Sequence, residues 1–172
     1  GITRLEPSHR KDYLRSGINL IQANINNIQI NEAKEVIPMI DIQYTIETEQ
    51  YGNKTGNRLF IPANIFRKGF TTPDLKQRVQ DIHINYGYLD TDSICLQIPE
   101  GYTIESLPKT CQVTSSFGSF SSSLMIKDKE ICIIHRLLMH RGIYPKEIYK
   151  DFLEFRKQIA AQYSSKIILK KE

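Results

Sequence analysis

Isoleucine is the residue that most constrains what this chain can fold into. It occurs 26 times in 172 residues, against 5 Ala and 3 Val. A side chain branched at Cβ is stiff about χ1 and suits a pleated, half-buried surface better than a long helix. The spacing agrees: Ile40, Ile42, Tyr44 and Ile46 fall on one face, with Asp41, Gln43, Thr45 and Glu47 on the other. That alternation is the pattern of a strand with one wet side.

The same period of two recurs downstream. Ile82, Ile84 and Tyr86 alternate with polar residues, as do Ile94, Leu96 and Ile98. The first strand is expected to return through residues 52–57 into Leu59, Phe60 and Ile61, and the 82–86 strand to turn at Asp90-Thr91-Asp92 into 94–98. Further short strands are expected over 102–107, 111–115, 120–126 and 130–140, with a last one at Ile167-Ile168-Leu169. Strands broken by turns at intervals of about 8 to 12 residues indicate a sandwich or barrel rather than alternating β-α units.

Two stretches follow the helical period instead. Tyr13, Leu14, Ile18 and Ile21 suggest a short helix within 8–23, with Ser8 as N-cap and Gly17 weakening it. Ile148, Phe152, Phe155 and Ile159 form an apolar stripe on a helix over 145–163, opened by Pro145 and stopped at Ser164-Ser165. The expected fold is therefore mostly β: an antiparallel β-sandwich with one C-terminal amphipathic helix packed on it and a short N-terminal helix.

Composition narrows the function classes. Lys and Arg number 23 and Asp and Glu 19, a net charge of +4 spread along the chain. Arg67, Lys68, Lys76 and Arg78, interleaved with Phe66 and Phe70, are expected to be a solvated surface rather than a nucleic-acid site. No apolar run approaches the roughly 20 residues of a membrane span; the stretch Ile131–Met139 already contains His135 and Arg136. The opening Gly1-Ile2-Thr3-Arg4 has no signal-peptide pattern, and its non-Met start leads us to expect a piece of a longer protein.

Catalytic and metal motifs are missing from the pattern. Cys95, Cys111 and Cys132 lack zinc spacing, cannot all pair internally, and fall in predicted strands, where buried small residues are expected. Cys132 and His135 are three apart and His135 and His140 five apart, odd offsets that put each pair on opposite faces of a strand. Asp90-Thr91-Asp92 begins like a calcium loop, but Ile94 stands where the next oxygen ligand is needed, so a turn is the simpler reading. Gly52–Gly56 lacks the ending of a phosphate loop. Without Trp, the aromatic candidates for a ligand surface are Tyr86, Tyr88 and Tyr102.

A set of short motifs in fixed order points further. Leu59-Phe60-Ile61-Pro62, Ile98-Pro99-Glu100-Gly101-Tyr102 with Leu107-Pro108, Phe117-Gly118-Ser119-Phe120 and Arg136 come first. Tyr144-Pro145-Lys146-Glu147-Ile148-Tyr149, Phe155 and the run Lys166 to Lys171 complete the set. Over about residues 35–172 the chain resembles the uncharacterised C-terminal domain that follows a transglutaminase-like core in exported bacterial proteins. Residues 1–34, with the short helix, resemble the segment that precedes it there, which implies a β-sandwich accessory domain over 35–172. In that family the Cys-His-Asp machinery belongs to the core, and nothing here matches it. The resemblance therefore implies an accessory domain with no catalytic residue, metal or cofactor of its own. Its expected partners are the upstream transglutaminase-like core of the same parent chain and a protein, peptide or glycan, not nucleic acid. The implied location is the periplasm or cell envelope. The alternative is a glycan- or peptide-binding module using Tyr86, Tyr88 and Tyr102.

Overall fold

The computed structural model describes residues 1–69, 73–75 and 78–172. They form two compact units, one of Gly1–Asn53 with Ile65–Arg67 and one of Lys54–Asn64 with Lys68–Glu172.

In the first unit a short 3-10 turn, Ile2–Arg4, precedes helix α1 (Pro7–Ser16) and strands β1 (Asn24–Ala33) and β2 (Met39–Glu47). Pro7 lies in the first turn, so Glu6 rather than Ser8 is the N-cap, and the helix stops at Gly17 instead of running on toward residue 23. Strand β2 keeps its alternation, but its partner is β1, with Ile42 opposite Ile30 and Ile46 opposite Ile25. The expected return into Leu59–Ile61 is not made. Strand β1 escaped the two-residue pattern because a bulge between Asn26 and Gln29, with Asn27 at φ 53°, inserts an irregular step between its isoleucines. The segment Ile65–Arg67 docks on the end of α1: Asn19 N–H donates to Ile65 O (2.7 Å) and Arg67 N–H to Gly17 O (2.9 Å).

The remaining strands are β3 (Asn53–Thr55), β4 (Arg58–Pro62), β5 (Ile82–Ile84), β6 (Tyr88–Gln97), β7 (Tyr102–Ser106) and β8 (Cys111–Ser115). They continue with β9 (Gly118–Lys127), β10 (Glu130–Met139), β11 (Gly142–Tyr144) and β12 (Lys166–Lys171), with helix α2 (Tyr149–Tyr163) before the last. Two four-stranded sheets result, β6-β10-β9-β8 and β3-β4-β12-β7, and β5 pairs with β11 alone. The strand registers are antiparallel, so the mostly β, antiparallel expectation holds. The turn expected at Asp90-Thr91-Asp92 is a correction: β6 runs straight through it, and β5 finds its partner in β11.

Strand β10 directs its odd-numbered side chains inward, and α2 lies on that side. Phe117, Phe120, Leu137 and Met139 pack with Tyr149, Phe155, Ile159 and Tyr163 in one buried cluster. Phe117 touches Phe152 edge-on at 5.0 Å between centroids and Phe155 at 6.5 Å. Such rings contribute about 0.5–1.5 kcal/mol per pair beyond their buried area. On the outer side, register places Cys132 opposite Cys95 in the sheet, and the two form a disulfide. The expectation of buried small residues is corrected for Cys95, which is exposed and bonded to Cys132. Cys111 is free and half-buried.

Gly118 opens β9 where its backbone passes Leu138. Its φ is +149°, and a Cβ there would sit 1.9 Å from Leu138 O. Changing Gly118→Ala should destabilise the fold by at least about 2 kcal/mol, through a backbone clash and an unfavourable φ. Urea unfolding checks this; a loss under about 0.5 kcal/mol, the range of neutral surface changes, would contradict it.

Candidate functional site: a buried polar cluster

Strand periodicity puts Asp90 and Asp92 on the same inward face as Ile94 and Leu96. A carboxylate there is costly unless it is charged against a partner. The partner is Lys68, whose Nζ lies 2.7 Å from Asp90 Oδ2 and 2.8 Å from Asp92 Oδ2. The ammonium is well buried at 16% exposure and Asp92 at 9%, while Asp90 at 44% still meets solvent. Burial opposes the charge on Lys68, but its bonds to the two aspartates outweigh that and raise its pKa. Lys68 is thus an internal cation, not the solvated surface expected from sequence.

Asn64 completes the cluster. Its Nδ2 donates to Asp92 Oδ2 at 2.9 Å and lies 3.1 Å from His135 Nδ1. A carboxylate only accepts, which fixes the amide orientation, and the second amide hydrogen then makes His135 Nδ1 an acceptor. The imidazole proton is therefore on Nε2, which is buried without a hydrogen-bond partner among the described residues. The ring is enclosed by Phe120 at 5.7 Å and Tyr163 at 5.2 Å, and Lys68 Nζ sits 5.5 Å from the Tyr163 centroid. Burial lowers the His135 pKa most, Asp92 opposes it and Lys68 adds to it. Burial likewise holds the Tyr163 phenol neutral, reinforced by Asp92, Asp90 and Tyr88.

The chemistry open to this arrangement is limited. A general base needs a free ring nitrogen facing its substrate, but here one nitrogen is bonded to Asn64 and the other carries the proton. Across the sheet the inward row continues from Asp92 through His135 and Ser122 to Cys111. Burial pushes the Cys111 thiol up, the Ser122 backbone opposing it, so the sulfur is held away from the reactive thiolate. Cys132 and His135 lie on opposite faces of β10, as their offset requires.

The three tyrosines considered as a ligand surface are not gathered together. Tyr86 precedes β6 and is 80% exposed, and Tyr88 begins β6 at 46%. Tyr102 begins β7 on the other sheet, opposite Lys171, after the full length of β6 has been traversed. Of the basic loop, Arg67 donates Nε–H to Ile18 O at 3.0 Å, while Lys76 and Phe70 lie outside the described residues. No sequence motif joins Asn64, Lys68 and Asp92 into one site. The available signal was Asp90 and Asp92 sharing parity with Ile94, Leu96 and Ile98, which continues one strand face rather than ending it.

Lys68→Met leaves Asp92 buried without its cation and should cost about 3–5 kcal/mol. Pairing it with Asp92→Leu should recover most of that loss in a double-mutant cycle by urea unfolding; additive losses would contradict the coupling. The histidine gives a second prediction with a definite sign. Its folded pKa is depressed, so below the unfolded value of about 6.5 the unfolded chain binds a proton that the folded chain refuses, and stability falls with pH. The stability loss between pH 7 and 5 should be shallower in His135→Gln by up to about 1.4 kcal/mol per pH unit. An unchanged slope would remove His135 as its source.

Comparison with known proteins gives one family. Neither the curated proteins nor the solved structures contain a match. A family model described as a domain of unknown function with solved-structure structure (DUF3858) matches residues 57–169. The match runs from β4 into β12 and takes in the polar cluster, α2 and the β6-β10-β9-β8 sheet, but not β3 of the other sheet. With well over half of its length aligned, the chain belongs to the DUF3858 family.

Proposed function

We propose that this chain is a non-catalytic accessory domain of an exported, transglutaminase-like protein, packing on that protein's catalytic core or presenting its protein or peptide substrate. The observation that carries this reading is the internal engagement of the chain's strongest chemistry. Lys68 is paired with two aspartates, His135 accepts from Asn64, and two of the three cysteines are joined to each other. None of these groups is presented to a substrate. The motif order from Leu59 to Lys171 supports placement after a transglutaminase-like core.

The Cys95–Cys132 disulfide supports the exported part of the proposal, in the periplasm or cell envelope. Disulfides persist in oxidising compartments and are rare in reducing ones. Its partners are 37 residues apart, and closing a loop of that length stabilises a fold by about 3–4 kcal/mol in the chain-entropy model.

The test is an assay of the 172-residue chain against peptide, amide and glutamine-donor substrates, beside Cys111→Ser and His135→Gln variants whose folding is verified by circular dichroism. No turnover by any of the three is expected. Turnover by the unmodified chain that is lost in a folded Cys111→Ser variant would overturn the non-catalytic reading.

A further inference from the structure

The outward face of the β6-β10-β9-β8 sheet carries a polar row that the interior cluster does not use. Register aligns Thr91, Arg136, Ser121 and Gln112 across the four strands. Ser119 and Thr114 flank the row on one side, and Ser93 and Ser123 on the other. Gln112, Ser119, Phe120, Ser121, Arg136 and Leu138 line a depression of about 100 Å³, the Phe120 ring itself belonging to the buried core on the other face.

Arg136 is exposed and makes no ion pair or hydrogen bond among the described residues. No carboxylate stands in its row or in either flanking row; Glu130 is six residues along the same strand, roughly 20 Å away. Arg58 on the other sheet behaves differently, with Glu105 bound across its guanidinium at 2.6 and 2.8 Å. Arg136 therefore presents a planar, permanently charged fork within reach of the hydroxyl and amide donors beside it. Its backbone is held in the central part of a rigid sheet, so little order has to be imposed when a ligand arrives.

We propose that this face binds an extended acidic peptide segment, with a Glu or Asp carboxylate seated on Arg136 and Ser121 and the peptide's polar groups on the surrounding hydroxyls and Gln112. Charge complementarity selects the carboxylate. A peptide is favoured over a glycan because these rows contain no aromatic side chain on which a sugar ring could lie. The spacing also suits a peptide: side chains on one face of the sheet recur every two residues, as they do along an extended peptide. This site rests on the proposed substrate-presenting role and names the class of segment presented.

The test is fluorescence anisotropy of the 172-residue chain with a labelled peptide of alternating Thr and Glu, at low salt where charge pairing is least screened. The same peptide with Gln for Glu, and polygalacturonate, serve as the other arms. Binding of the Glu peptide is expected to weaken at least about 10-fold in Arg136→Gln and for the Gln peptide, with Arg136→Lys intermediate because it keeps the charge and loses the fork. Arg136 is exposed, and an unchanged circular dichroism spectrum shows that the variants remain folded.

Equal binding by Arg136→Gln would overturn the site while leaving peptide presentation standing. Absence of Glu-peptide binding would overturn the proposal, and Arg136-dependent binding of polygalacturonate alone would do so in favour of a glycan. Turnover by the chain in the preceding assay is the separate result that would defeat the accessory-domain reading.

Discussion

The second unit depends on how a negative charge is kept inside a sheet. Asp92 sits in the body of β6, nearly buried, and is held by Lys68 and Asn64 from the chain that follows β4. Asn64 in turn reaches His135 on β10, 71 residues away in sequence. Each partner has a geometric requirement, and a slip of β6 by one residue would turn Asp92 outward and strand Lys68 among apolar groups. The cluster therefore ties together the exit from β4, the register of β6 against β10 and the end of α2, where Tyr163 covers both His135 and Lys68.

The apolar core is arranged around the same point. Phe120 is both a member of the α2-facing cluster and a wall of the histidine site. Gly118, two residues earlier, allows β9 to pass the Leu138 carbonyl and bring Phe117 and Phe120 into place. The sheet thereby acquires two unlike faces. The inner one holds aromatic rings and an internally bonded polar cluster, and the outer one holds hydroxyls, a disulfide and a guanidinium unpaired among the described residues. The division matches the functional proposals: the inner face maintains the fold, and the outer one meets a partner.

Elements with regular local signals were legible in advance. Strands β7 to β10 and β12 lie close to their expected places, and α2 carries the expected stripe, with Tyr149 and Tyr163 added to its buried face. Errors arose where a local signal has two physical outcomes. Aspartates two apart stabilise a turn when solvated, yet sit within a strand when a lysine from elsewhere pairs with them. The β1 bulge breaks the alternation that identifies a strand, so the sequence pattern points β2 to Leu59–Ile61 instead of to β1. The candidate tyrosines share a stretch of sequence, but the turn after β6 sends Tyr102 to another sheet.

The sequence by itself determined that the chain is mostly β, where most of its strands lie, and which face of the C-terminal helix is apolar. These follow from side-chain branching and from periods of two and 3.6 residues, properties of neighbours along the chain. Only the tertiary structure decided which strands pair, that Cys95 meets Cys132, that Lys68 is internal, and that Arg136 faces outward with no carboxylate partner among the described residues. Each of these depends on residues brought together from distant positions, where register and packing between strands, rather than local propensity, determine which charge finds which partner.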